Sequence, residues 1–144
     1  MFFSFFLSKN QKLVKKWKSE HEQIVKLATK VITSYSDGNL DKAKGALVEL
    51  RLVTLNHLMT EDIEFFKLLK ENKKTDKETQ KFVKEFKETF YDTKSVLMRF
   101  LKEHTSSDAV LDDKFFESFN GLVGVLGERI AFEEKNLYNR LDIK

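Results

Sequence analysis

The run Leu50-Arg51-Leu52-Val53-Thr54-Leu55-Asn56-His57-Leu58-Met59-Thr60-Glu61 decides the fold class. Leu50, Thr54, His57 and Glu61 recur three or four residues apart, the period that places side chains on one face of an α-helix. The same stripe extends back through Ala43 and Leu47 and forward through Phe65 and Leu68. The spacing predicts a helix from about Asp41 to Asn72.

On either side the pattern repeats. An earlier stripe, Val14, Trp17, His21, Ile24, Ala28, Val31 and Tyr35, predicts a first helix from Lys9 to Tyr35. It closes at Ser36-Asp37-Gly38-Asn39, where glycine is available for a left-handed cap. Further on, Thr75-Asp76-Lys77-Glu78 has the spacing of a capping box and opens a third helix to about His104, with Phe82, Phe86, Phe90, Thr93, Leu97 and Phe100 inward. After the polar break Thr105-Ser106-Ser107-Asp108, a fourth helix is expected from Asp112 to Leu141. Its inward stripe is Phe116, Phe119, Val123, Leu126, Ile130, Glu133, Leu137 and Leu141. A short break cannot carry the chain back along a helix of ~40 Å, so successive helices must run antiparallel. The expectation is an all-α, antiparallel up-down-up-down four-helix bundle over residues 9–144, preceded by a short N-terminal aromatic arm over residues 1–8. Gly124 and Gly127 each cost about 1 kcal/mol of helix propensity relative to Ala, and the compensation expected is close approach by a phenylalanine of the third helix.

Composition agrees and narrows the function. The 144 residues contain no proline and five glycines, so helices can run long. There is no cysteine, which excludes disulfides, thiolate metal sites and cysteine nucleophiles and is compatible with a cytoplasmic location. The net charge of +3 comes from lysines interleaved with acids, a pattern of solvated helix faces that gives no nucleic-acid stripe. The apolar run Phe2-Phe3-Ser4-Phe5-Phe6-Leu7 is far too short to cross a bilayer. Either the arm folds over the bundle, or Phe2, Phe3, Phe5 and Phe6 form a patch for a protein partner, self-association or a membrane surface. No nucleophile constellation and no glycine-rich phosphate loop is present, so no catalytic residue is assigned and a role other than an enzyme is expected.

The polar residues on the inward faces are the informative anomaly. His57 and Glu61 share the second stripe, His21 falls between Trp17 and Ile24, and Glu133 between Ile130 and Leu137. Buried imidazoles and carboxylates are costly unless they pair or bind something. His21 lies 17 residues before the turn near residue 38 and His57 lies 19 after it. At ~1.5 Å per residue that is within about 3 Å of one level. Similar counting across the other turns brings Glu61 and Glu133 to that level within a helical turn. Two imidazoles and two carboxylates suit iron, manganese or zinc. His104, at the end of the third helix, reads as a favourable dipole interaction, not a ligand.

The runs Glu20-His21-Glu22-Gln23-Ile24, His57-Leu58-Met59-Thr60-Glu61-Asp62 and Arg129-Ile130-Ala131-Phe132-Glu133-Glu134-Lys135-Asn136-Leu137-Tyr138 resemble the hemerythrin HHE cation-binding domain across nearly the whole chain. The resemblance implies a non-haem iron site inside the bundle that binds oxygen or a related small molecule. It assigns His21, His57 and Glu61, with Glu133 or Glu134 as the remaining acid and Asp62 and Glu134 beside them. The third helix offers phenylalanines where the family has a histidine, and the fourth offers Arg129. Half of the iron pair's ligands are therefore missing, which implies one iron ion or none. Arg129 can supply the positive charge of the missing ion. Two arrangements stay open: a single metal on His21, His57, Glu61 and Glu133, or a metal-free network of Arg129 with the carboxylates. An alternative function rests on Leu13-Val14-Lys15-Lys16-Trp17 and Glu128-Arg129-Ile130-Ala131-Phe132-Glu133-Glu134, which look like segments of bacterial anti-sigma regulators and point to a metal-free interaction module.

Overall fold

Each helix stops or starts where local chemistry requires it. The computed structural model describes residues 9–71 and 77–138. Helix α1 spans Lys9–Ser36, α2 Leu40–Glu71, α3 Lys77–His104 and α4 Asp113–Phe132, which runs on into a π-helical turn, Glu133–Leu137. No strand occurs among the described residues. The arm, Thr75 of the expected capping box and Leu141 lie outside the described residues, as do the side chains of Phe65 and Leu68.

Gly38 closes α1 with φ 78°. Its N–H donates to Tyr35 O at 3.0 Å and the N–H of Asn39 donates to Ser34 O at 2.9 Å, the paired bonds of a Schellman motif. Asn39 then opens α2 by accepting from Lys42 N at 3.2 Å. At α4, Asp112 accepts from Phe115 N at 2.8 Å. His104 donates through Nδ1 to Phe100 O at 2.8 Å and its ring packs on Phe100 and Phe115, so it stays away from the polar layer.

The core has two parts. One holds Ile24, Val31, Leu47, Leu50, Leu58, Leu97, Leu101, Phe115, Phe119 and Leu126. The other holds Val14, Trp17, Val83, Phe86, Phe90, Leu137 and Tyr138. Along α1, His21 sits between Trp17 of one part and Ile24 of the other. Along α4, Arg129 and Glu133 sit between Leu126 and Leu137. A polar layer thus separates two apolar clusters. Tyr35 ties the end of α1 to the start of α4 by donating to Asp113 at 2.7 Å, and Lys44 on α2 donates to Ser107 O and Ala109 O after α3.

Two expectations are corrected. The inward stripe of α4 runs through Phe115, Phe119, Leu126, Arg129 and Glu133, with Phe116, Val123 and Ile130 only partly buried. The face is rotated by about one residue, and the rotation carries Arg129 inside. Gly124 and Gly127 are exposed, and a Cβ at either meets nothing within 4 Å, so no phenylalanine approaches them. Helix α2 also carries apolar residues on its outer side, Val48, Leu52, Met59 and Ile63, all exposed. No described helix is long and apolar enough to cross a membrane.

Candidate metal centre

Four elements contribute to the layer. His21 comes from α1, His57 and Glu61 from α2, Arg129 from α4, and Glu133 from the π turn. All five are at most 3% exposed. His21, His57, Glu61 and Glu133 each offer a ligand atom, and these atoms lie within 4.8 Å of one another. His21 Nε2 faces His57 Nε2 at 2.9 Å, and His57 Nε2 lies 2.9 Å from Glu61 Oε1. His21 Nε2 lies 3.4 Å from Glu133 Oε1.

The other imidazole nitrogens point to carboxylates. His57 Nδ1 is 2.8 Å from Glu20 Oε1, and His21 Nδ1 is 3.0 Å from Glu134 Oε2. A carboxylate accepts, so each Nδ1 carries the proton and donates. When both rings are neutral, both Nε2 atoms direct lone pairs into the layer, 2.9 Å apart, and at that distance a proton on one of them or a cation must lie between. A ligand imidazole commonly donates its second N–H to a carboxylate in this way, which fixes its tautomer and orientation.

The π turn explains how the fourth segment reaches the layer. Its cap bond runs from the N–H of Tyr138 to Glu133 O, one residue longer than an α-helical bond. The inserted residue lets Glu133, Leu137 and Tyr138 all face inward. Tyr138 donates its hydroxyl to Glu61 Oε2 at 2.6 Å, lies 3.1 Å from His21 Nε2 and stacks on the His21 ring. Trp17 packs against Tyr138 and edge-on to His57, closing the layer from below with apolar surface.

Electrostatics in the layer follow from burial and crowding. Burial lowers the pKa of His21, helped by His57 beside it, against the pull of Glu134. Burial also works to lower His57, but the close Glu61 carboxylate and then the hydrogen-bonded Glu20 outweigh it, and its pKa is raised. For Glu61 burial favours the neutral acid, yet Glu133 beside it, the His57 imidazole and the Tyr138 hydroxyl hold it ionised, with a lowered pKa. Glu133 goes the other way: burial and the Glu61 charge push it well above the usual carboxylate range, against Arg129. Two carboxylates this close do not both stay ionised without a cation.

Several buried polar atoms lack a hydrogen bond: Glu61 Oε1, Glu133 Oε2 and Arg129 Nε. Glu61 Oε1 approaches His57 Nε2 closely but without hydrogen-bonding geometry. For metal–ligand bonds of ~2.1 Å, neighbouring donors lie roughly 3.0–3.4 Å apart. The observed contacts are close to that, and the donor set of two nitrogens and two carboxylates is one that iron, manganese and zinc accept. The residues present therefore fit a metal ion.

Of the residues singled out in the sequence, His21, His57, Glu61 and Glu133 come together. Arg129 joins them, with Nη2 3.8 Å from Glu61 Oε1 and Nε 3.9 Å from Glu133 Oε1. Glu134 reaches His21. Asp62 does not join: it is half-buried on the flank of α2 toward α3 and pairs with Lys94 there. Glu20 and Tyr138 were missed. Glu20 sits one residue before His21, off the stripe, and only its reach across to α2 gives it a role. Tyr138 enters through the π turn, for which the sequence carries no signal.

An all-helical chain that gathers two imidazoles and two carboxylates in one buried layer is a candidate metal-binding protein. The chain belongs to a family: residues 12–141 match the hemerythrin HHE cation binding domain, nearly the whole of the chain. Among curated proteins and solved structures, none matches it significantly.

Proposed function

We propose that the protein binds an iron ion through His21, His57, Glu61 and Glu133 and serves as a sensor or binding protein for oxygen or a related small molecule. The observation that carries the proposal is the pair of imidazoles facing each other through Nε2 at 2.9 Å while Glu20 and Glu134 hold both Nδ1 protons. That arrangement needs a proton or a cation between the two nitrogens, and a metal ion can take the proton's place. Bound ferrous iron supplies a redox-active Lewis acid able to take up a small diatomic ligand. The protein's own part is to hold both imidazoles in the ligating tautomer, to aim Glu61 through the Tyr138 hydroxyl, and to keep bulk water out with Trp17, Tyr138 and Leu137.

The antiparallel up-down-up-down order is part of this reading, with residues 9–144 as the bundle and residues 1–8 as an arm. It is supported by the Tyr35–Asp113 and Lys44–Ala109 bonds, which join the end of α1, the start of α2 and the start of α4 at one end. A cytoplasmic location goes with it, on the absence of cysteine.

The test is to load the protein with ferrous iron without oxygen, measure iron per chain, and record the optical spectrum before and after adding oxygen or nitric oxide. Bound iron whose spectrum responds to either gas, and which is lost in His57→Ala, is the expected result. Bound iron with no response to either gas overturns the sensing part. No bound iron turns attention to the metal-free interaction module, which draws support from the exposed apolar stripe on α2.

A further inference from the structure

Arg129 is the least expected member of the layer. It is 3% exposed, and it brings a planar guanidinium cation into the layer. Among the described residues it approaches the two carboxylates of the candidate site and no other acid: Nη2 is 3.8 Å from Glu61 Oε1 and Nε is 3.9 Å from Glu133 Oε1. Its Cζ lies 4.8 Å above the Phe86 ring, a cation–π contact that holds the charge in place. Both ion contacts are longer than hydrogen bonds, and Nε has no hydrogen-bond partner. The guanidinium stands beside the carboxylate pair as a charge and does not consume their lone pairs.

The α3 side of the layer provides the second half of the argument. Phe86 and Phe90 of α3 pack with Phe132 at that level. Among the described residues, the group able to hold a metal draws nothing from α3. An ion on that side of Glu61 and Glu133 would have to share their oxygens next to a fixed positive charge, among rings that cannot ligate it.

Resting on the proposed metal site, we infer that Arg129 is the resident second cation of the Glu61–Glu133 pair and restricts the layer to one exchangeable metal ion. Two facing carboxylates attract two positive charges. One is built into the chain, and the other would be the ion that His21 and His57 would help to hold. The same charge steadies the pair when the ion leaves, so the layer persists in both states. Arg129 is a specificity-determining residue for ion number, acting through the carboxylates and not as a ligand.

The experiment is a cobalt(II) titration of the full chain followed by native mass spectrometry, with Glu61→Gln as the background for surface ions. Wild type should take one ion above background and no second, even at large excess. Arg129→Gln should take a second ion, more weakly than the first. Arg129→Lys keeps a cation and should take one. If Arg129→Gln does not fold, Arg129→Met, uncharged and without a new nitrogen ligand, replaces it and should also take two; helix content by circular dichroism decides which variant is read. Two ions in wild type, or one in the folded uncharged variant, overturns the inference while leaving the metal site standing. No ion in wild type overturns the metal site itself, and the inference with it.

Discussion

Changing Glu20 to Ala should weaken metal binding although Glu20 would touch no metal. Its Oε1 accepts from His57 Nδ1 at 2.8 Å, and its side chain is 16% exposed against 2% for His57. The bond fixes which nitrogen of His57 is protonated and how the ring is turned. Without it the imidazole can place its proton on Nε2, the atom that must hold the lone pair for the metal. Loss of such a partner typically costs 10–100-fold in metal affinity, or ~1.4–2.7 kcal/mol. The partial exposure of Glu20 argues for the lower half of that range, because water can replace part of the bond. Glu20→Gln keeps an acceptor carbonyl and should lose less than Glu20→Ala. Trp17 is the assay: it is the one tryptophan, fully buried, with its ring centroid 6.4 Å from that of His57. Its fluorescence should be quenched as cobalt(II) binds. Glu22→Ala, at an exposed position two residues away, is the control and should bind like wild type. Equal affinities for wild type, Glu20→Ala and Glu22→Ala would refute the reasoning that the tautomer is set from outside the site.

Three further outcomes are expected. Tyr138→Phe keeps the ring packing but leaves Glu61 Oε2 without its donor, so urea unfolding should report a loss of about 1–3 kcal/mol, the cost of an unsatisfied buried acceptor. Metal affinity should rise with pH. The raised pKa of His57 means that its proton stabilises the metal-free protein fully below the ordinary value of 6.5, and that this contribution fades as pH rises through the raised value; a metal must displace that proton, so calorimetry in buffers of different ionisation heat should show proton release near neutral pH. Gly124→Ala and Gly127→Ala should each stabilise the protein by about 1 kcal/mol in thermal or urea melts, since helix propensity favours Ala and a Cβ meets open space at both.

Much of this arrangement is legible in the residues. The α2 stripe predicts its helix because no other regular structure puts Leu47, Leu50, Thr54, His57 and Glu61 on one side, and all five are buried. His21 and Glu133 are legible for the same reason: a polar residue inside an apolar stripe must be inside the protein. The Schellman close at Gly38 follows from the one glycine in its turn. What resists reading depends on register and reach. A one-residue rotation of α4 decides whether Ile130 or Arg129 is inside, and near the charged end of a helix the apolar pattern does not resolve it. A π turn shifts every later residue by one position, which is how Tyr138 enters the layer unannounced. Glu20 and Asp62 are both acids next to a candidate ligand. Glu20 reaches across to His57 while Asp62 turns to Lys94, and that difference lies in the packing of α1 on α2 and of α2 on α3, which spacing within one helix does not contain. The two glycines of α4 show the reverse error, where a costly residue was expected to have a packing partner and has none.

The measurement that tests the central claim most directly is metal per chain, by elemental analysis, in untagged wild type and His57→Ala purified in parallel without chelator and then loaded with ferrous iron without oxygen. The account predicts close to one ion per chain in wild type and none in His57→Ala, with both proteins equally helical. Wild type that stays free of metal after loading, or His57→Ala that binds as much as wild type, would contradict it.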